Sequence, residues 1–124
     1  MINPPPAVPV TTPDFYPTLL EAAGVPVPEG QRIDGTSLVP LLRGGRDLAR
    51  EAIFWHYPHY GNQGGTPGSS VRRGDWKLLE FYEDNRLELY NLAEDPGERR
   101  NRAAELPALA AELHALLVSW RRAV

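Results

Sequence analysis

No cysteine occurs among the 124 residues, and methionine occurs once. A chain without cysteine has no disulfide framework, no zinc–thiolate site and no cysteine nucleophile. An excess of basic residues is also missing. Thirteen Lys+Arg stand against sixteen Asp+Glu, a net charge of -3. A broad nucleic-acid surface needs surplus cations to displace counterions, so no nucleic-acid partner is expected. The late basic residues Arg99, Arg100, Arg102, Arg121 and Arg122 interleave with Glu94, Asp95, Glu98, Glu105 and Glu112, the pattern of a solvated helical surface. No apolar run approaches the length that spans a bilayer. The start, Met1 to Pro6, has neither a basic segment nor an apolar one. No signal peptide, transmembrane segment or membrane partner is therefore expected in this chain, which reads as soluble with its compartment open.

What the sequence does contain suits one small α+β domain. Hydrophobic residues make up 42% and charged residues 23%, enough for a core within an ordinary soluble surface. Residues 1–13 carry Pro4, Pro5, Pro6, Pro9 and Pro13 and read as an extended, proline-rich lead-in. Residues 14–124 form the expected domain. Asp14 is expected to cap a first helix, with Phe15, Leu19, Leu20 and Ala23 on one face and Gly24 as its stop. After a loop around Pro26, Pro28 and Gly30, a short helix is expected behind Thr36 or Ser37, burying Leu38, Leu41 and Leu42.

The middle of the chain reads as strands. Residues 52–57, aromatic and β-prone, form the first. A glycine-rich loop follows over 61–70. Residues 70–73 and 76–81 form a hairpin across Gly74-Asp75. Trp76, Leu78 and Glu80 alternate with Lys77, Leu79 and Phe81. A fourth strand runs over 86–92. Asp95 to Asn101 is expected to turn into a short helical stretch, with Glu98 and Asn101 satisfying backbone groups. From about Pro107 to Arg122, Leu109, Leu113, Leu116, Leu117 and Trp120 make one helical stripe. The sum is a small antiparallel sheet of about four strands packed against a long C-terminal helix.

Five segments in order resemble the sulfatase family. Thr12-Pro13-Asp14-Phe15-Tyr16-Pro17-Thr18-Leu19-Leu20, then Ala23-Gly24, is similar to its "D-hydrophobic-x-P-T" segment. Asp34-Gly35-Thr36-Ser37-Leu38 with Leu41-Leu42 and Gly44 resembles its "DG-x-S-L". Phe54 to Pro58 resembles its aromatic strand. Val71 to Leu78 resembles "V-R-x-G-x-W-K-L". Leu89-Tyr90-Asn91-Leu92, Asp95-Pro96, Glu98 and Asn101 resemble "L-Y-x-L…D-P-x-E…N". The resemblance covers nearly the whole chain after residue 10.

This likeness implies a C-terminal subdomain that follows a catalytic core. The family's nucleophile, a Cys or Ser oxidised to formylglycine, lies in a C/S-x-P-x-R motif. Ser37, Ser69 and Ser119 are not followed by that pattern, and cysteine is absent. The family's calcium ligands and sulfate-binding residues lie upstream. Calcium and formylglycine are therefore implied for a full-length parent, with no catalytic residue, metal ligand or cofactor in this chain. The implied partners are the parent's catalytic core and a sulfated carbohydrate or aryl sulfate. Phe15, Leu19 and Leu20 are the expected docking face, through which an isolated chain can also self-associate.

Four residues are candidates for the rim of a substrate cleft: His56, Tyr57, His59 and Tyr60. Histidines at a strand end beside a mobile loop can touch substrate or pass a proton. The competing reading is strand-end residues held by local hydrogen bonds. Lys77 and Arg72, or Arg73 in its place, are anion-binding candidates on neighbouring strands. The competing reading puts both on a solvent face, their stems covering apolar surface. Trp55, Trp76, Tyr82 and Tyr90 can stack on a sugar or pack as cross-strand pairs. Two other functions stay open: a stand-alone module binding sulfated or anionic sugars, and a small hydrolase built on the histidines.

Overall fold

The structure, a computed structural model, describes residues 8–124. Most of the proline-rich lead-in lies outside the described residues. The chain divides into two compact units, one ending at Arg50 and the other running from Glu51 to Val124.

In the first unit a 3-10 turn, Thr12–Asp14, runs into helix α1, Phe15–Ala22. Asp14 does not cap α1 as its sequence position suggests. It is fully buried, and its carboxylate accepts from the Thr11 amide at 2.7 Å, the Thr36 amide at 2.9 Å and Arg50 Nη1 at 2.6 Å. Arg50 also donates from Nη2 to the Pro9 carbonyl at 2.6 Å. One turn on, Thr18 Oγ1 donates to the Asp14 carbonyl at 2.5 Å and accepts from the Leu38 amide at 2.8 Å. The inward face of α1 is thus polar, Asp14 and Thr18, and the apolar face expected to dock elsewhere points outward. Phe15 is 60% and Leu19 66% exposed, Leu20 is half-buried and Ala23 exposed. Gly24 stops the helix as expected, at φ +68, with the Val25 amide returning to the Leu20 carbonyl.

Helix α2, Val39–Leu42, is a single turn. Ser37 Oγ accepts from the Val39 amide at 3.2 Å. Val39 is its buried residue and Leu42 is exposed, against the expectation for Leu42; one turn is too short for a 3.6-residue stripe to form. Gly35 has a specific reason to be glycine. A Cβ there would collide with the Pro13 carbonyl, so only a bare backbone lets Thr36 reach Asp14.

The second unit is a four-stranded antiparallel meander in the order β1-β2-β3-β4. Its strands are β1 Ile53–Tyr57, β2 Gly68–Arg73, β3 Trp76–Phe81 and β4 Leu87–Asn91. The tight β2–β3 turn pairs Arg73 with Trp76. Gly74 takes φ +58 there, the sign that hairpin turns require and that glycine adopts at no steric cost. Helix α3, Pro107–Ala123, begins with the expected proline in its first turn.

Alternation on the strands meets helical spacing on α3. Val71, Leu78 and Leu89 from three adjacent strands join Ala110, Leu113 and Leu117 in one buried cluster. Leu109, Leu116 and Trp120 flank it half-buried. Phe54 and Trp120 stack with centroids 4.9 Å apart and rings 5° from parallel.

The stretch from Asp95 to Asn101 turns without becoming helical, a correction to the sequence expectation. Asp95 Oδ2 accepts from the Arg99 and Arg100 amides at 2.7 and 2.9 Å. Glu98 takes φ +52, a left-handed conformation that cannot continue a right-handed helix. Asn101 satisfies backbone groups as expected. Its Oδ1 accepts from the Leu89 amide at 3.0 Å and the Ala103 amide at 2.9 Å. Its Nδ2 donates to the Leu87 carbonyl at 3.4 Å. Asn101→Ala leaves the free side of the β4 edge without these partners. A loss of about 1–3 kcal/mol in unfolding free energy is expected, read as a lower urea midpoint at unchanged m.

Candidate functional site

Strand β1 sends alternate side chains to opposite faces of the sheet, and this separates the cleft candidates. Trp55 and Tyr57 point one way, His56 the other. His56 pairs in register with Ser69 of β2 and lies on the face that α3 covers. Its Nδ1 is 2.8 Å from Ser69 Oγ and 2.8 Å from Tyr82 Oη. The Ser69 and Tyr82 hydroxyls are themselves hydrogen-bonded. Arg121 of α3 donates from Nη1 to Tyr82 Oη at 2.9 Å and to Glu80 Oε2 at 2.6 Å. The other Glu80 oxygen is 3.1 Å from His114 Nε2, a contact that does not meet hydrogen-bond geometry. His56 is therefore one end of a polar chain that ties Ser69, Tyr82 and Glu80 to Arg121 of α3.

Burial pushes the Glu80 carboxyl up, but Arg121 and then His114 outweigh it and hold it below its ordinary value. A carboxyl lowered in the folded state stabilises the fold above its unfolded pKa. That contribution is lost as pH falls through the folded pKa. Wild-type stability should therefore drop below about pH 4.5, the ordinary glutamate value. A Glu80→Gln variant should show a smaller drop over the same interval in urea titrations at successive pH values.

The other three cleft candidates are exposed, as His56 is. Tyr57 is 55% exposed and meets the His59 ring edge-on at 5.6 Å between centroids. Tyr60 Oη donates to Glu83 Oε1 at 3.0 Å. That carboxylate, followed by a little burial, raises the Tyr60 phenol above its ordinary value. These side chains sit beside the turn in which the Gly61 amide donates to the Gly65 carbonyl.

The two anion candidates do come together. Arg72 and Lys77 face each other across β2 and β3. With Trp55, Ser70, Leu92 and Glu98 they line a concavity of about 420 Å³. Lys77 Nζ is held by Glu98 Oε1 at 2.6 Å. Trp76 packs half-buried against the core cluster beneath the Arg102 guanidinium, 5.4 Å from the ring centroid. Tyr90 is buried and donates to Glu88 Oε2 at 2.8 Å. Burial, then that carboxylate, pushes its phenol up to about 12.

Sequence reasoning missed Ser69, Glu80, His114 and Arg121 as a connected set. Glu80 and Arg121 are 41 residues apart; only the β1–β2 register and the phase of α3 against β3 bring them together. A glutamate placed on the apolar face of β3 was the one available signal.

Among the described residues, no three His, Cys, Asp or Glu side chains converge to hold a metal ion, and none of their helices is long and apolar enough to cross a membrane. The described residues thus do not fit a calcium centre, and the sequence has no C/S-x-P-x-R segment to carry formylglycine.

Residues 8–123 match the family described as N-sulphoglucosamine sulphohydrolase, C-terminal. The chain belongs to the sulfatase family. It is 39% identical over 125 residues to a sulfatase of Formosa agariphila, covering 90% of this chain and 23% of that protein. It is 37% identical over 109 residues to a Δ4,5-hexuronate-2-O-sulfatase of Bacteroides thetaiotaomicron, covering 84% of this chain and 22% of that one. A protein solved in complex with its substrate D-glucosamine-2-N,6-O-disulfate has the same fold over 88% of this chain. There the TM-score is 0.74 and the identity 36%, over 23% of the solved chain. This sulfatase domain thus spans under a quarter of the length of these relatives, and it corresponds to their C-terminal part. Formylglycine and calcium are what the family implies for a full-length protein.

Proposed function

We propose that this chain is the non-catalytic C-terminal domain of a sulfuric ester hydrolase acting on sulfated sugars. It packs on the catalytic core and supplies part of the wall of the substrate cleft. The observation that carries the reading is the family match over residues 8–123 in a sequence with no C/S-x-P-x-R segment. Sulfate ester hydrolysis needs a nucleophile and cations for the developing charge, and the parent core would contribute these with its calcium and formylglycine.

Two features support the division of labour. Phe15 and Leu19, four residues apart on α1, are both more than half exposed, and Leu42 is 75% exposed. Large apolar side chains exposed on one helix face, as Phe15 and Leu19 are, mark a docking surface, here for the parent core. Tyr57, His59 and Tyr60, exposed beside the Gly61–Gly65 turn, suit the cleft wall. His56, fixed by Ser69 and Tyr82, positions the strand end that carries them. The substrate class follows the relatives, whose substrates include hexuronate and glucosamine sulfates.

The test is a sulfate-release assay on glucosamine 6-sulfate and on an aryl sulfate. It compares the purified 124-residue chain with the native polypeptide that carries it. Release is expected from the native polypeptide only. Release by the isolated chain above the buffer rate would overturn the non-catalytic assignment. In the native polypeptide, Tyr57→Ala with His59→Ala should raise KM severalfold and leave the melting temperature unchanged.

A further inference from the structure

The concavity between Trp55 and Glu98 has a chemistry that the fold does not use up. Lys77 is neutralised by Glu98 at 2.6 Å. Arg72 has no such partner. Its Nε donates to the Gly74 carbonyl at 3.3 Å, and among the described residues no ion pair engages the guanidinium. The lining therefore carries two cations against one anion, and the surplus charge sits on Arg72. A guanidinium keeps its charge at any working pH and presents a planar fork matched to carboxylate and sulfate oxygens.

Beside it, Trp55 is 43% exposed. Trp55 pairs with Ser70 in register, and Ser70 neighbours Arg72 on the same face. An indole face, a hydroxyl and a free guanidinium thus share one wall of a recess whose volume falls within the range of small-molecule sites. Glu98 holds the far rim at φ +52, a strained conformation for a residue with a side chain. The Glu98 amide is fixed by the Asp95 carbonyl and its carboxylate by Lys77. The rim is therefore held in place before any ligand arrives.

We infer that this recess binds one unit of an anionic sugar, with the apolar face of the pyranose ring on Trp55 and its sulfate or carboxylate on Arg72. The shared chemistry is a ring with C–H groups on one face and an oxyanion at its edge. This inference deepens the sulfated-sugar reading above but does not require hydrolysis by any part of the protein. It can fail while that reading stands, because binding is read on the isolated chain and hydrolysis on the native polypeptide.

The experiment titrates the full 124-residue chain with a heparin tetrasaccharide, a hyaluronan tetrasaccharide and uncharged cellotetraose. Tryptophan fluorescence and calorimetry are the readouts. Saturable one-site binding of heparin or hyaluronan fragments is expected, at least tenfold tighter than cellotetraose. Binding of both identifies a carboxylate as sufficient; binding of heparin alone identifies sulfate. Trp55→Ala and Arg72→Gln should each weaken binding tenfold or more, and Arg72→Lys should weaken it less than Arg72→Gln. Trp55 is exposed and Arg72 makes one long hydrogen bond, so these variants should melt as the wild type does. Heparin binding that survives Trp55→Ala would indicate general attraction to a polyanion and overturn the inference. So would the absence of saturable binding by any of the three, the outcome expected if an acidic protein segment fills the recess instead.

Discussion

Asp14→Ala should cost the first unit about 3–5 kcal/mol, the range for removing one partner of a buried ion pair. Asp14 is fully buried, and its ion-pair partner Arg50 has a side chain only 13% exposed. Deleting the carboxylate leaves a nearly buried guanidinium and two backbone amides, Thr11 and Thr36, without their acceptor. Burial by itself pushes the Asp14 carboxyl up, but Arg50 and the two amides hold it below its ordinary value. Its contribution is accordingly present at neutral pH and lost as pH falls through the folded pKa. Hydrogen exchange gives the local readout. The Thr36 amide should lose its protection in Asp14→Ala, and so should that of Leu38, which depends on Thr18 one turn away. Asp14→Asn keeps acceptor oxygen but removes the charge, so it should fall between wild type and alanine. Wild-type exchange at Thr36 in the alanine variant would show that the pair is incidental to this unit.

Leu113→Ala is the second large effect, about 2–5 kcal/mol in the second unit. Leu113 is completely buried against Val71, Leu78 and Leu89. Truncation removes transfer free energy and leaves a cavity between α3 and the sheet that a paired meander cannot easily close. Leu42→Ala is the matched control. It deletes the same atoms at a site 75% exposed and should stay within about 0.5 kcal/mol of wild type in the isolated chain. Urea unfolding followed by tryptophan fluorescence checks both. Equal midpoints for the two variants would mean that the α3–sheet core does not dominate stability.

The elements that were legible in the sequence are those whose signal is local. The Gly74-Asp75 turn and the alternation from Trp76 to Phe81 specify a hairpin without help from distant residues. The Leu109 to Trp120 stripe specifies α3 and the face it buries. The motif order pointed to the family for the same reason, since each motif is a short run. Less legible was anything made by tertiary pairing. Asp14 looks like a cap because aspartate before an apolar run usually is one; the arginine that claims it lies 36 residues on. Leu42 looks buried by its apolar spacing, which is no guide in a helix of a single turn; it is 75% exposed.

The candidate site divides along the same line. Adjacent positions suggested that His56 and Tyr57 act together, yet a strand sends neighbours to opposite faces. His56 belongs to the Ser69–Tyr82–Arg121 chain, which only register creates. Lys77 and an arginine across the hairpin were legible, and the strand register decides for Arg72 over Arg73, which opposes Trp76. That Glu98 neutralises one of them and leaves the other free depends on a loop conformation that composition does not reveal.

The mass of the native polypeptide, taken from source cells by immunoblot and intact mass spectrometry, is the most direct test that this sulfatase domain serves a catalytic core. A single product several times heavier than 13.8 kDa is expected, because the domain spans 23% of its Formosa agariphila relative. A stable native product of 13.8 kDa, with no heavier species carrying the same peptides, would contradict it.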